Sequence, residues 1–193
     1  MDSARSSSSS DPEIGIEALR PEALAALREV QDAPPAEREN FGLSQFWYTD
    51  ACASAIGAAV RDAVPGRVAV LSCPSVHRTV GGVLFEYDPK LAEVFFDYRE
   101  VLDSEFENLF DAVVLDPPYV SRDCLERYHA HAVFLSGGSK VLAFTSVVNR
   151  EFVLSEFGWR LTRFELEFES KLATPLGVFT NVPDLAARLG GFV

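Results

Sequence analysis

Between Arg67 and Thr145 the chain carries five short apolar runs, most of which end on or beside an acidic residue. They are Arg67–Ser72, Gly82–Asp88, Glu93–Tyr98, Phe110–Asp116 and Ser139–Thr145. Runs this short and this continuously apolar fit strands buried on both faces, as in a parallel sheet covered by helices. Helical stretches alternate with them. One is alanine-rich, Ala51–Val64, stopped by Pro65-Gly66; another is Asp123–Phe134, followed by Gly137-Gly138. The alternation predicts an α/β, Rossmann-like, doubly wound and mostly parallel sheet. Two further strand-like runs, Trp159–Phe168 and Gly177–Val182, have only Glu169–Leu176 between them, which predicts a closing antiparallel hairpin.

The same reading divides the chain. Residues 1–13 form a serine-rich tail expected to be disordered. Residues 14–40 hold a predicted helix (Leu19, Ala23, Leu24, Leu27 and Val30, entered at Pro21) and a linker containing Pro34-Pro35. Residues 41–193 are the expected domain, and 193 residues suffice for one sizeable core. Acidic residues outnumber basic ones by 29 to 17, a net charge of −12. Such a surface repels phosphate backbones, which argues against nucleic acid and favours a basic protein partner. No apolar run approaches the ~18 residues of a membrane span. Cys52, Cys73 and Cys124 show neither zinc-binding nor disulfide spacing. A cytoplasmic monomer without metal or membrane is expected.

Chemistry concentrates where the fourth run meets Asp116-Pro117-Pro118-Tyr119. Two successive prolines remove two backbone donors and fix φ twice, so the strand ends in a rigid bend. Such a bend can aim the Asp116 carboxylate and the Pro117 carbonyl at one point. Two acceptors there can hold an amine and direct its lone pair at an electrophilic methyl. Tyr119 adds an aromatic wall for a base or an alkyl-ammonium. Methyl transfer to nitrogen is an in-line displacement that asks mainly for positioning and electrostatics. In open α/β sheets ligands bind beyond the carboxyl ends of the strands. That rim gathers Ser72, Cys73, Pro74 and Ser75 with Glu86, Asp88, Asp97 and the Asp-Pro-Pro-Tyr element. Glu86, with Asp88 as neighbouring candidate, suits the ribose hydroxyls of an adenosine group; Asp97 suits the adenine amino group.

The words Phe41-Gly42-Leu43-Ser44-Gln45-Phe46-Trp47-Tyr48, Pro74-Ser75-Val76, Phe85-Glu86-Tyr87-Asp88, Asp97-Tyr98 and Asp116-Pro117-Pro118-Tyr119 occur in one order. In this the chain resembles the eukaryotic protein-lysine methyltransferases that act on translation elongation factor 1-alpha, a family first grouped with adenine-specific DNA methyltransferases. The likeness runs from about Phe41 to Asn181. It implies a seven-strand methyltransferase fold, S-adenosyl-L-methionine as donor, and a lysine of elongation factor 1-alpha as acceptor. It also implies that Gln45, Phe46 and Trp47 cap the cofactor. Ser72–Ser75 then stand where most methyltransferases have a glycine-rich loop, and Glu86 holds the ribose.

Two departures accompany the likeness. Only the eight residues His77–Leu84 separate Pro74-Ser75-Val76 from Phe85-Glu86-Tyr87-Asp88, and Thr79–Gly82 reads as a bare turn where a parallel crossover ordinarily takes a dozen residues or more. Leu172-Ala173-Thr174 and Phe179-Thr180-Asn181 echo the family's C-terminal signature only loosely. Two alternatives stay open beside lysine methylation: an adenine N6-methyltransferase on RNA or DNA, and a catalytically impaired module that keeps the cofactor fold.

Overall fold

The computed structural model describes residues 45–170 and 175–193, so the expected tail, leading helix and linker over 1–40 lie outside the described residues, as do Phe41–Ser44 and Leu172–Thr174. The described part begins with α1 (Asp50–Ala63), whose N-terminus is capped by the Thr49 hydroxyl accepting from Cys52 N. Then come β1 (Val68–Leu71), α2 (Pro74–Val80), β2 (Val83–Glu86) and β3 (Val94–Phe95). A 3-10 turn, Ser104–Phe106, leads to β4 (Ala112–Leu115) and α3 (Arg122–Ser136). The chain continues through β5 (Val141–Ser146), α4 (Arg150–Phe157), β6 (Arg160–Leu161), β7 (Leu176–Thr180) and α5 (Pro183–Arg188).

The strands form one sheet in the order β3-β2-β1-β4-β5-β7-β6. Pairing is parallel from β3 to β5 and antiparallel for β5–β7 and β7–β6. This is the mostly parallel, Rossmann-like seven-strand sheet expected. Strand periodicity divides the core. Val68 and Val70 of β1 join Ile56, Val60, Val76 and Leu185 on one face. Ala69 and Leu71 join Leu125, Tyr128, Leu135 and Trp159 on the other. Helices therefore cover both faces, which is why the central strands read as unbroken apolar runs with no polar side.

The structure corrects two sequence expectations. The crossover between β1 and β2 is a helix, not a bare turn. Pro74-Ser75-Val76, counted as loop, supplies its first turn, since proline at the start of a helix fixes φ and forfeits only a donor the helix leaves unused. The predicted strand Trp159–Phe168 shrinks to Arg160–Leu161. The chain then turns across the sheet, with Thr162 bridging Phe192 and Phe168 bridging Tyr48. The antiparallel β6–β7 pair exists, with Arg160 opposite Thr180 and Leu161 opposite Phe179, but it is not a tight hairpin.

Gly57 marks a close approach of α1 to α2. A Cβ placed there would lie 2.5 Å from the Thr79 hydroxyl oxygen, which itself bonds the carbonyls of Ala53 and Val76. Gly57→Leu must force α1 off α2, and overpacking of this kind costs about 2 kcal/mol. Urea unfolding is expected to show that loss.

Candidate active site

The acids that end the central strands meet at one rim because β2, β1 and β4 are parallel neighbours in register. Leu71 lies between Phe85 and Leu115. Beyond these ends opens a cleft of about 280 Å³, lined by Gln45, Ser72, Glu86, Asp97, Asp116, Pro118 and Tyr119 among the residues anticipated from sequence. Tyr87, Phe96, Tyr98, Arg99 and Tyr128 complete it.

Asp116 follows β4 directly, and its amide donates to Leu71 O at 3.0 Å. Its Oδ2 accepts the Tyr48 hydroxyl at 2.7 Å and faces the Cys73 thiol at 3.8 Å. No hydrogen bond among the described residues engages Oδ1. Burial pushes the Asp116 carboxyl up to about 7; the bonds from Tyr48 and Cys73 pull against that rise, and the Glu86 charge adds to it. Burial likewise drives the Cys73 thiol well up, with Asp116 adding to the effect. A buried thiol driven up in this way is poorly suited to act as a nucleophile.

Glu86 ends β2 with only 3% of its surface exposed. Oε1 accepts from the backbone amides of Tyr87 at 2.9 Å and Asp88 at 3.1 Å, with Gln45 Nε2 at 3.5 Å. Oε2 is buried and has no hydrogen-bond partner among the described residues. A buried carboxylate oxygen without a donor is costly unless a ligand supplies one. Burial raises the Glu86 carboxyl, and the Asp88 and Tyr87 amides oppose that rise.

The turn after β1 bears the same stamp. Ser72 holds φ at 54°, a left-handed conformation that favours glycine, and its hydroxyl sits 2.6 Å from that of Tyr128. A serine here does what a loop glycine would do while adding a polar contact. Asp97 is less available than expected. Arg99 clamps it through Nε at 2.8 Å, Nη2 at 2.5 Å and the backbone amide at 3.0 Å, and this holds the Asp97 carboxyl below its ordinary range.

Other anticipated residues support the cleft without lining it. Pro117 is buried beneath the bend. Trp47 is 3% exposed and lies under the Arg78 guanidinium, 4.0 Å from the ring centroid. Cys73, Pro74 and Ser75 form the entry to α2, while Phe46 and Asp88 flank the cleft's lining residues in sequence. Asp88 shapes the turn after β2 by accepting from Lys90 N. Asn181 is structural: it bonds Val141 N and Gly138 O at the opposite end of β5. Sequence reasoning missed the Tyr48–Asp116 and Ser72–Tyr128 bonds, because neither pairing leaves a local signature.

Comparison with known proteins agrees with this geometry. A family model described as "Probable N6-adenine methyltransferase" matches residues 39–184. EEF1A lysine methyltransferase 1 of Mus musculus is 32% identical over 74% of this chain and 75% of that one. The chain belongs to this methyltransferase family. The Homo sapiens protein of the same name is 30% identical to this methyltransferase, over 84% of this chain and 91% of the human one. Among solved structures, the branched-chain polyamine synthase of Thermus thermophilus superposes with a TM-score of 0.60 at 14% identity, over 82% of this chain and 62% of that one. That likeness concerns the fold alone. Membership of an enzyme family and the helix Pro74–Val80 in the short crossover weigh against reading the chain as an impaired module.

Proposed function

We propose that this methyltransferase transfers a methyl group from S-adenosyl-L-methionine to the ε-amine of a lysine in a basic protein, elongation factor 1-alpha. The observation that carries the reading is the charge of the cleft. Its lining holds three carboxylates, Glu86, Asp97 and Asp116, against one cation, Arg99, which is already bound to Asp97. An ammonium is drawn into such a site and a phosphate is turned away. The related mammalian proteins carry elongation factor 1-alpha in their names, which supports the same substrate.

The residues present fit the donor. Oε2 of Glu86 would accept ribose hydroxyls, Gln45 would close over them, and the Ser72–Ser75 turn would lie against the amino-acid portion. Asp97 would receive the adenine amino group on acceptor capacity left by Arg99. When bound, S-adenosyl-L-methionine supplies the electrophilic methyl.

The chain's own contribution begins at Asp116. Oδ1 attracts the entering ammonium, while Pro117, buried and not lining the cleft, holds the bend that presents it. Pro118 keeps the bend rigid, and Tyr119, 53% exposed at the mouth, lies along the alkyl chain. An ordinary lysine has a pKa of ~10.4 against ~3.9 for aspartate, a gap that forbids proton transfer between them. Burial closes the gap from both sides, since it raises the acid and lowers the amine. With Asp116 near 7, Oδ1 can draw one proton off the ammonium as the side chain is desolvated.

The buried thiols of Cys52, Cys73 and Cys124 are unpaired, which supports a reducing compartment, the cytoplasm. Among the described residues no helix is long and apolar enough to cross a membrane. One observation favours adenine as a second substrate class, namely an exposed Tyr119 able to stack on a base. Labelled donor incubated with purified elongation factor 1-alpha, and separately with adenine-containing RNA and DNA, distinguishes the two. Label is expected in the protein alone; incorporation into nucleic acid alone would reverse the assignment.

A further inference from the structure

We propose that Tyr48 is a positioning residue for the methyl transfer: its hydroxyl, donated to Oδ2 of Asp116, fixes the carboxylate and favours its anionic form, leaving Oδ1 for the substrate amine. This inference rests on the reading of Asp116 given above.

The geometry is specific. Tyr48 is 2% exposed, and its hydroxyl reaches Asp116 at 2.7 Å. Its ring is held by Phe144 at 5.4 Å and Phe168 at 4.9 Å between centroids, contacts that a phenylalanine would keep. Its backbone is fixed too. Tyr48 bridges Phe168, Thr49 N donates to Glu167 O at 2.9 Å, and Glu169 N donates to Trp47 O at 2.9 Å. The next residue, Thr49, caps α1. The phenol is therefore locked between a helix start and the chain leading out of β6. Packing alone does not call for a hydroxyl there, since burying one without a partner is penalised. Its partner is the one carboxylate placed to meet the amine.

Other groups face Asp116 from every side. Cys73 approaches from the turn after β1, Glu86 from β2, and Tyr128 from α3 through its pairing with Ser72. Glu86 disfavours the anion, and the thiol at 3.8 Å is a weak donor. Tyr48 is thus the principal opponent of the burial that pushes Asp116 up. Burial and the Asp116 charge also raise the Tyr48 phenol well above its ordinary value, so it remains a donor across the working pH range.

Tyr48→Phe removes the donor and keeps the ring. The titration midpoint of Asp116, followed by NMR of its carboxyl carbon, is expected to move upward by about one unit. The rate at neutral pH should fall about fivefold and recover in alkaline buffer, with KM for the donor unchanged, because a midpoint moved from about 7 to about 8 lowers the anionic fraction at pH 7 from about one half to about one eleventh. A merely structural role would lower the rate equally at all pH values and leave the Asp116 midpoint in place, and that result would overturn the proposal. Should the variant fail to fold, the wild-type protein still decides. The Tyr48 ring-carbon resonance must then follow the Asp116 titration and lose that inflection in Asp116→Asn; a flat Tyr48 signal overturns the proposal. A wild-type protein that transfers no methyl group defeats the functional reading, while the titration independently judges Tyr48.

Discussion

Asp116→Asn is expected to lower methyl transfer about 10³-fold while the protein keeps its fold and its affinity for the donor. The amide keeps the size of the carboxylate and one acceptor oxygen for Tyr48, so the bend held by Pro117 and Pro118 need not move. It loses the charge that attracts the ammonium and the basicity that can take its proton. Single-turnover kinetics separates this loss from any change in binding. The substitution also has an opposite effect on stability. The folded-state value of about 7 lies above the ordinary aspartate value of 3.8, so the folded protein binds the proton more tightly than the unfolded chain. Stability is therefore lost as pH rises between those values and stays lost above 7. Asparagine abolishes that slope. Allowing for solvent in the open cleft, Asp116→Asn should gain about 2 kcal/mol at pH 8 relative to wild type and nothing below pH 4. An inactive but more stable protein at pH 8 is the expected pair of results, read from activity and urea melts.

Glu86→Ala has the second largest expected consequence, on binding rather than on the chemical step. Two charge-assisted hydrogen bonds from a ribose to a buried carboxylate contribute about 3 kcal/mol, so the Kd for S-adenosyl-L-methionine should rise about 100-fold by calorimetry. The alanine also strands the Tyr87 and Asp88 amides that Oε1 now satisfies, which costs about 1–3 kcal/mol of stability. Glu86→Gln separates the two effects. It preserves an acceptor for the amides but replaces the unpartnered Oε2 with a group whose charge and hydrogen-bonding pattern no longer suit a diol. Weak donor binding in a normally stable Glu86→Gln protein would locate the ribose at Oε2. Unchanged affinity would remove Glu86 from the cofactor site.

Much of this was legible in the chain before any coordinates. Strands β1, β2, β4 and β5 announce themselves because burial on both faces leaves unbroken apolar runs, and Glu86 and Asp116 stand at their ends for the same topological reason. Helix α2 was hidden because its first turn is written in residues that also read as a loop, Pro74-Ser75-Val76. The short β6 was overread because Thr162–Phe168 continues an apolar alternation whose partners are Phe192 and Tyr48, both remote in sequence. Helix α4 was not read from the sequence: its eight residues are too few to establish a clear helical period. Long-range partnership explains the site as well. Tyr48 lies 68 positions from the carboxylate it serves and Ser72 lies 56 from Tyr128, whereas the Arg99 clamp on Asp97 is local, two residues away, and was overlooked. Composition carried further than local pattern here. The net charge of −12 anticipates the acidic cleft that argues for lysine.

Mass-spectrometric mapping of purified elongation factor 1-alpha, after incubation with S-adenosyl-L-methionine and either wild-type protein or Asp116→Asn, tests the central claim most directly. The account predicts methyl groups on a lysine side chain with the wild type and none above background with the variant. Equal lysine methylation by both proteins, or a methyl group found only on adenine in a parallel nucleic-acid reaction, would contradict it.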